Sequence, residues 1–215
     1  MTVTVIAIDG PAGAGKSTVA RLVARKVGLP YLDTGAMYRC IALAVMNAEV
    51  DRDSGTAAGE IAERVSIVVE PDGVTLDGSD VTNAIRTPEV SAVVSVIAAH
   101  SRVREAMRSQ QRLWIAAHGG GVVEGRDIGT VVFPDATTKI FLTASPVERA
   151  QRRVAQSGGD VDEVAAGIAE RDRIDSTRVD SPLKPAEDAT VVDSTGLDID
   201  QVVDRIVAVH SGRVA

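Results

Sequence analysis

Aromatic side chains are scarce: two Phe, two Tyr and one Trp among 215 residues, 2% of the chain. So few rings exclude a stacking platform of the kind that holds single-stranded nucleic acid. Trp114, inside a helical pattern, reads as a core residue. There is one cysteine, Cys40, which can close no internal disulfide and build no zinc cluster. In a helical stretch it reads as a small buried hydrophobe, and a reducing compartment is expected. Long apolar runs are absent too. The opening MTVTVIAIDG has no basic n-region, its apolar run is far shorter than a membrane span needs, and no later stretch does better. A cytoplasmic protein with no membrane partner is expected. Positive charge is in deficit: 23 Lys and Arg face 30 Asp and Glu, a net charge of −7. That disfavours general nucleic-acid binding, and it requires any anionic substrate to be held by a local cluster of cations against the field of the whole chain.

What is present is an ordinary globular composition, 45% hydrophobic and 25% charged, at a length that favours a single domain over residues 1–215 with room for an insertion. Val3 to Ile8 is a short β-branched run. The Gly-rich turn after it opens Lys16 to Val27, whose Val19, Leu22, Val23 and Val27 fall at helical spacing. Leu29 to Asp33 reads as a second strand and Ala36 to Met46 as a second helix. Such alternation predicts an α/β fold, a parallel sheet covered by helices. The pattern then changes: Val65 to Val69 and Val74 to Leu76 flank Glu70-Pro71-Asp72-Gly73, a hairpin sequence, so roughly Asp51 to Val94 reads as an antiparallel insertion. Ala92 to Ala117 is helical with a break near His100 and Ser101. Strands follow at Val122-Val123 and Lys139 to Leu142. Pro146 starts an Arg-rich helix, Gly158-Gly159 breaks it, and Val161 to Arg173 resumes it, a segment able to hinge. Thr190 to Asp193 and Ile199 to Val209 supply the last strand and helix. His100, His118 and His210 lack metal-ligand spacing and read as surface or helix residues.

The chemistry begins at Gly10-Pro11-Ala12-Gly13-Ala14-Gly15-Lys16-Ser17, a full match to G-x-x-x-x-G-K-S between a predicted strand and a predicted helix. Glycines let successive N–H groups turn inward around a phosphate, and the helix N-terminus adds its dipole. Lys16 reaches the β- and γ-phosphates, and the Ser17 hydroxyl suits Mg²⁺. An ordinary glycine turn is the weaker reading. No guanine-reading Asn-Lys-x-Asp is present, which argues against a GTPase, and no apolar strand ends in an Asp-Glu pair, which argues against a motor ATPase. Arginines gather at Arg39, at Arg102, Arg104, Arg108 and Arg112, and from Arg149 to Arg178. Single surface arginines are usually only solvated. Their clustering instead fits a donor and an acceptor that both carry phosphate, more negative charge than one lysine can neutralise. Another small-molecule P-loop kinase and a non-catalytic ATP-binding regulatory module stay open at this point.

In order along the chain, AIDGPAGAGKST, LDTGAMYR, RVREAMR, GRDIGTVVFPDA and AERDRIDSTR resemble the bacterial cytidylate kinases, from Ile6 to Asp193. The resemblance implies a P-loop nucleoside-monophosphate kinase fold: a five-stranded parallel sheet flanked by helices, with a monophosphate-binding insertion at residues 51–95 and a lid at 150–175. It implies transfer of the ATP γ-phosphoryl group to CMP or dCMP with Mg²⁺, by a monomer acting on small molecules. ATP would lie on Gly10 to Ser17 and Thr18. Thr34, Tyr38 and Arg39 would line the acceptor phosphate, and Thr34 keeps the hydroxyl of relatives that have Ser there, with a stiffer χ1. Ser95, Arg104 and Asp127 would meet the cytosine, Arg171 and Asp175 the sugar, and Arg126 and Arg178 the phosphate or base. Lys16, Arg153 and Arg171 would neutralise the transferring group, and Ser17 would hold the metal. Cytosine presents an amino donor beside two acceptors, so a carboxylate next to cationic or hydroxyl donors suits it. The plain alternative for Asp127 is an ion pair with the adjacent Arg126.

Overall fold

The computed structural model describes residues 3–214, with the backbone alone at Ser157. Two compact units divide the chain, one made of residues 1–31 and 115–215, the other of 32–114.

In the first unit, Thr4–Asp9 (β1) leads through the glycine loop into Lys16–Val27 (α1). Tyr31–Asp33 (β2) starts at the boundary between the units. Further strands are Gly120–Gly125 (β6), Thr138–Thr143 (β7) and Thr190–Asp193 (β8), and the sheet order is β2-β6-β1-β7-β8. β1 runs parallel to β6 from Thr4↔Gly120 to Asp9↔Gly125 and parallel to β7 from Ile6↔Thr138 to Asp9↔Phe141. β7 runs parallel to β8 from Ile140↔Thr190 to Thr143↔Asp193. The carboxyl ends Asp9, Gly125, Thr143 and Asp193 therefore share one edge, where parallel α/β sheets bind their ligands. Ile6, Ile8, Val122, Ile140, Leu142 and Val192 of these strands bury against Val19, Ala20 and Val23 of α1 and against Val202, Val203 and Ile206 of the last helix, Ile199–Val214 (α8). This is the apolar burial that holds the loop-bearing edge rigid.

Past β7 come Pro146–Ser157 (α6) and Val161–Thr177 (α7). Ser145 caps the first by accepting from the Glu148 N–H at 3.3 Å, with Pro146 next to it. Asp160 caps the second through the Asp162 and Glu163 N–H groups at 2.9 and 3.1 Å, the expected N-terminal chemistry. Between them Gly158 and Gly159 have φ of 71° and 105°, which glycine adopts without the Cβ penalty.

In the second unit, Thr34–Asn47 (α2) and Gly55–Arg64 (α3) precede a three-stranded antiparallel sheet of Ile67–Glu70 (β3), Gly73–Leu76 (β4) and Ser79–Asp80 (β5). Pro71 and Asp72 close the first hairpin, with Glu70 opposite Gly73. Pro88–Ile97 (α4) and Ser101–His118 (α5), separated at Ala98 to His100, match the expected break, although α4 starts earlier than the Ala92 read from the sequence. Thr87 caps it from the Val90 N–H at 3.4 Å and Pro88 takes its first turn. Ala36, Cys40, Val74, Leu76, Val81 and Ile85 form this unit's core. Cys40 is fully buried, and burial, followed by the nearby Asp33, pushes its thiol up to about 12.

Three features depart from the sequence reading. The segment 51–94 is not antiparallel throughout, because it contains α3. Gly55 and Gly59 hid that helix, yet a Cβ on Gly59 would stand 2.4 to 2.8 Å from the Arg102 side chain. The glycine lets Arg102 lie across α3 and pair with Glu63 at 2.6 Å. Secondly, Ile128–Val132 forms a π-helical turn that its β-branched sequence gave no sign of. Thirdly, of the two readings for His210, surface or helix, the helix holds and the surface does not: it is buried on α8, its Nδ1 2.9 Å from the Thr138 hydroxyl.

Candidate active site

Gly10 leaves β1 at φ 150°, where a Cβ would meet the Leu142 carbonyl oxygen at 2.0 Å, so only glycine fits against β7. Gly13 and Gly15 turn the loop at φ 76° and 86°. α1 opens on Gly15 with no side-chain cap, which leaves its first amides to a phosphate ligand. Arg149 of α6 donates from Nη1 to the Ala12 carbonyl at 3.0 Å and also pairs closely with Asp172 of α7. The other Asp172 oxygen accepts from the Ala12 N–H at 2.9 Å. Arg152 holds the Ser194 hydroxyl and carbonyl at 2.9 Å each and comes within 3.5 Å of the Ala14 carbonyl. Arg149 and Arg152, which the sequence reading did not single out, thus join to the loop the segment expected to hold Arg153 and Arg171 as working arginines. Arg153 lies half-buried on the same helix.

Lys16 is buried and donates to the Pro11 carbonyl at 2.8 Å. Burial first, then Arg126 and Arg171, lower its pKa to about 7, while Glu124 and Asp9 pull the other way. Both carboxylates escaped the sequence reading. Glu124 lies opposite Ile8 in the β1–β6 register, accepts a close hydrogen bond from the Tyr31 hydroxyl and is nearly inaccessible. Asp9 ends β1, and its oxygens accept from the Ile128 and Gly129 N–H groups at 2.9 and 2.8 Å. Burial outweighs those two bonds and raises its pKa to about 6. The only sequence signal was a carboxylate at the end of an apolar strand, in Ile8-Asp9 and Val123-Glu124.

Four expected residues assemble beyond β6. Arg126 donates from Nε to Asp175 at 2.9 Å, so its partner is Asp175 and the adjacent-residue pairing with Asp127 is corrected. Arg178 Nη2 stands 3.6 Å from Asp127 and its Nη1 3.5 Å from Asp175. Burial tends to raise the Asp175 pKa, but Arg126, Arg171 and Arg178 together hold it below the ordinary carboxylate value.

In the second unit, Thr34 begins α2 behind the cap Asp33, which accepts from the Ala36 N–H at 2.9 Å. Tyr38 carries the Arg104 guanidinium 5.4 Å above its ring centre, and Arg104, only 1% exposed, donates to the Ala98 carbonyl at 3.0 Å. Arg39 braces the Ile85 carbonyl and the Ser91 hydroxyl at 3.0 and 2.8 Å. Ser95 is buried on α4.

The family model for cytidylate kinase matches residues 6–211. The chain belongs to the cytidylate kinase family. A cytidylate kinase of Pelotomaculum thermopropionicum is 50% identical over 97% of this chain and 96% of its own length. A bifunctional pantoate ligase/cytidylate kinase of Prochlorococcus marinus strain MIT 9303 is 49% identical over 94% of this chain, and there the match spans 44% of the relative's length. Among solved structures, a gluconokinase from Sinorhizobium meliloti 1021 superposes with a TM-score of 0.51 at 13% identity, covering 98% of this chain and 93% of that one. That likeness shows the fold and says nothing of the acceptor, so the cytidylate kinase family assignment rests on the sequence matches. No helix among the described residues is long and apolar enough to cross a membrane.

Proposed function

We propose that this chain is an ATP-dependent kinase of CMP and dCMP, yielding CDP or dCDP and ADP. The observation that carries the reading, beside family membership, is Asp127: a buried carboxylate directly after β6 with Arg178 3.6 Å away. A carboxylate accepts from the cytosine amino group, whereas uracil presents a carbonyl there, which the carboxylate repels. Arg126, Arg171, Asp175 and Arg178 in the first unit, and Thr34, Tyr38, Arg39, Ser95 and Arg104 in the second, are the remaining acceptor residues in this reading. ATP takes Gly10 to Thr18, and Lys16 with the arginines of α6 and α7 neutralises the charge of the transferring group. An acceptor phosphate is already ionised, so no general base is required.

Mg²⁺ bound with ATP would supply neutralisation of the phosphate charge, and Ser17 would hold it. The residues fit it: Ser17 is exposed on the first turn of α1, a hard oxygen donor, and the described residues contain no cluster of three His, Cys, Asp or Glu that would form a protein cage. Magnesium held mainly by phosphates and water needs no such cage. Residues 51–95 serve as the monophosphate-binding insertion and 150–175 as a lid in the same reading, which also takes the protein as a cytoplasmic monomer with no nucleic-acid partner.

The test is Asp127→Asn, whose amide keeps one acceptor and offers a donor to the uracil carbonyl at nearly constant volume. The ratio of kcat/KM for CMP over UMP is expected to fall by about tenfold or more, the worth of one charge-assisted hydrogen bond, through loss of CMP activity and some gain for UMP. An unchanged ratio would return Asp127 to a structural pairing with Arg178.

A further inference from the structure

Asp127 holds the N-cap position of the π-helical turn Ile128–Val132, the place where an Asp side chain ordinarily accepts hydrogen bonds from the amides of its own turn. Here it makes no such cap. Its backbone carbonyl serves the turn instead, accepting from Val131 and Val132 at 2.9 and 3.2 Å, while its carboxylate faces Arg178. The amides of Ile128 and Gly129 are capped from a different strand: Asp9, 119 residues away in sequence from Ile128, gives one oxygen to each at 2.9 and 2.8 Å. Asp9 is only 5% exposed and its neighbour Gly10 starts the phosphate loop.

We propose that Asp9 is a specificity-positioning residue, a cap supplied from β1 that takes over the amides Asp127 would otherwise bind and so keeps the Asp127 carboxylate directed at the acceptor base. The inference rests on the reading of Asp127 given above. An acid adjacent to its own turn has a short-range competitor in that turn's amides, and two buried N–H groups left without acceptors would be costly. The doubly accepting carboxylate of Asp9 removes both difficulties at once. It also fixes the start of the phosphate loop to the start of the base-reading turn within one unit, so the donor end and the base-reading carboxylate share a common anchor. A merely structural tie would stabilise the sheet edge without affecting which base is chosen.

Asp9→Asn separates the two roles. Asn offers one acceptor, and its NH₂ faces the second amide, so Asp127 is drawn back toward its own turn. The kcat/KM ratio for CMP over UMP is to be measured in wild type, Asp9→Asn, Asp127→Asn and the double variant, with Tm and amide exchange at Ile128 and Gly129 recorded alongside. The expected result is a fall in the ratio of about tenfold in Asp9→Asn, carried by KM for CMP, with faster exchange of the two amides and less than about a twofold further change when Asp127 is already Asn, the non-additivity of residues acting through one another. Equal losses for CMP and UMP, or effects of the two substitutions that multiply, would overturn the role of Asp9. A changed ratio in Asp127→Asn with an unchanged one in Asp9→Asn overturns that role alone, whereas an unchanged ratio in Asp127→Asn overturns the base reading and this inference together. Should Asp9→Asn fail to fold, Asp9→Ser, which keeps one acceptor in a smaller volume, carries the same comparison.

Discussion

Lys16 shows how far a single side chain's neighbours alter its chemistry. Its burial and the guanidinium groups of Arg126 and Arg171 bring it to about pH 7, well below the usual lysine range, so without nucleotide it is largely neutral at pH 8. Phosphate oxygens restore the preference for the charged form. ATP binding at pH 8 is therefore expected to be accompanied by proton uptake at Lys16. Calorimetry in buffers of different ionisation enthalpy reads this directly, and absence of uptake at pH 8 would show that the lysine is charged throughout. Lys16→Ala is expected to lower turnover by about a hundredfold or more, the usual worth of a charge that follows the transition state. The loop spacing made Lys16 legible in the sequence because the glycines that place it and the Pro11 carbonyl it donates to are local. Glu124 and Asp9 were illegible, because they gain their place from register: Glu124 opposite Ile8, Asp9 opposite Gly125 and bonded to Ile128. One strand's sequence does not reveal which strand lies beside it.

Among the elements, α6 and α7 are bound to the phosphate loop by the Arg149, Asp172 and Ala12 contacts, and Gly158 and Gly159 allow the turn between them. ATP phosphates compete with Asp172 for the same arginine and loop, so residues 150–175 are expected to rearrange on binding. Hydrogen exchange in that segment should slow when ATP and CMP are both present, and an unchanged pattern would remove the lid from the account. The start of α6 was legible at Ser145-Pro146, whereas the same pairing of cap and proline at Thr87-Pro88 was passed over and α4 was read as starting at Ala92. Helix starts were missed where glycine hides a helix, as at Gly55, which faces the His100 ring, and at Gly59, which admits the close approach of Arg102. The π-helical turn at 128–132 was illegible for a further reason. Its stability comes from the Asp9 carboxylate and from long-span bonds such as Phe133 N–H to the Ile128 carbonyl at 2.7 Å, whereas the β-branched residues themselves favour a strand.

For the whole molecule, the sheet order and its shared carboxyl edge follow from the alternation of short β-branched runs and helices, so the fold class was open to sequence reasoning. The acceptor was not decided by that fold, which a gluconokinase shares at 13% identity. It is argued from Asp127, Arg178 and their neighbours, within a chain of net charge −7 that must concentrate its cations to hold two phosphorylated substrates. ADP release with ATP and Mg²⁺, compared across CMP, dCMP, UMP, AMP and GMP, tests this choice most directly. The account predicts that CMP and dCMP are the preferred acceptors, with kcat/KM exceeding that for UMP by about a hundredfold or more, since a site built to hydrogen-bond one base edge rejects its mismatch strongly. Preference for any other acceptor, or ATP binding with no acceptor-stimulated turnover, would contradict it.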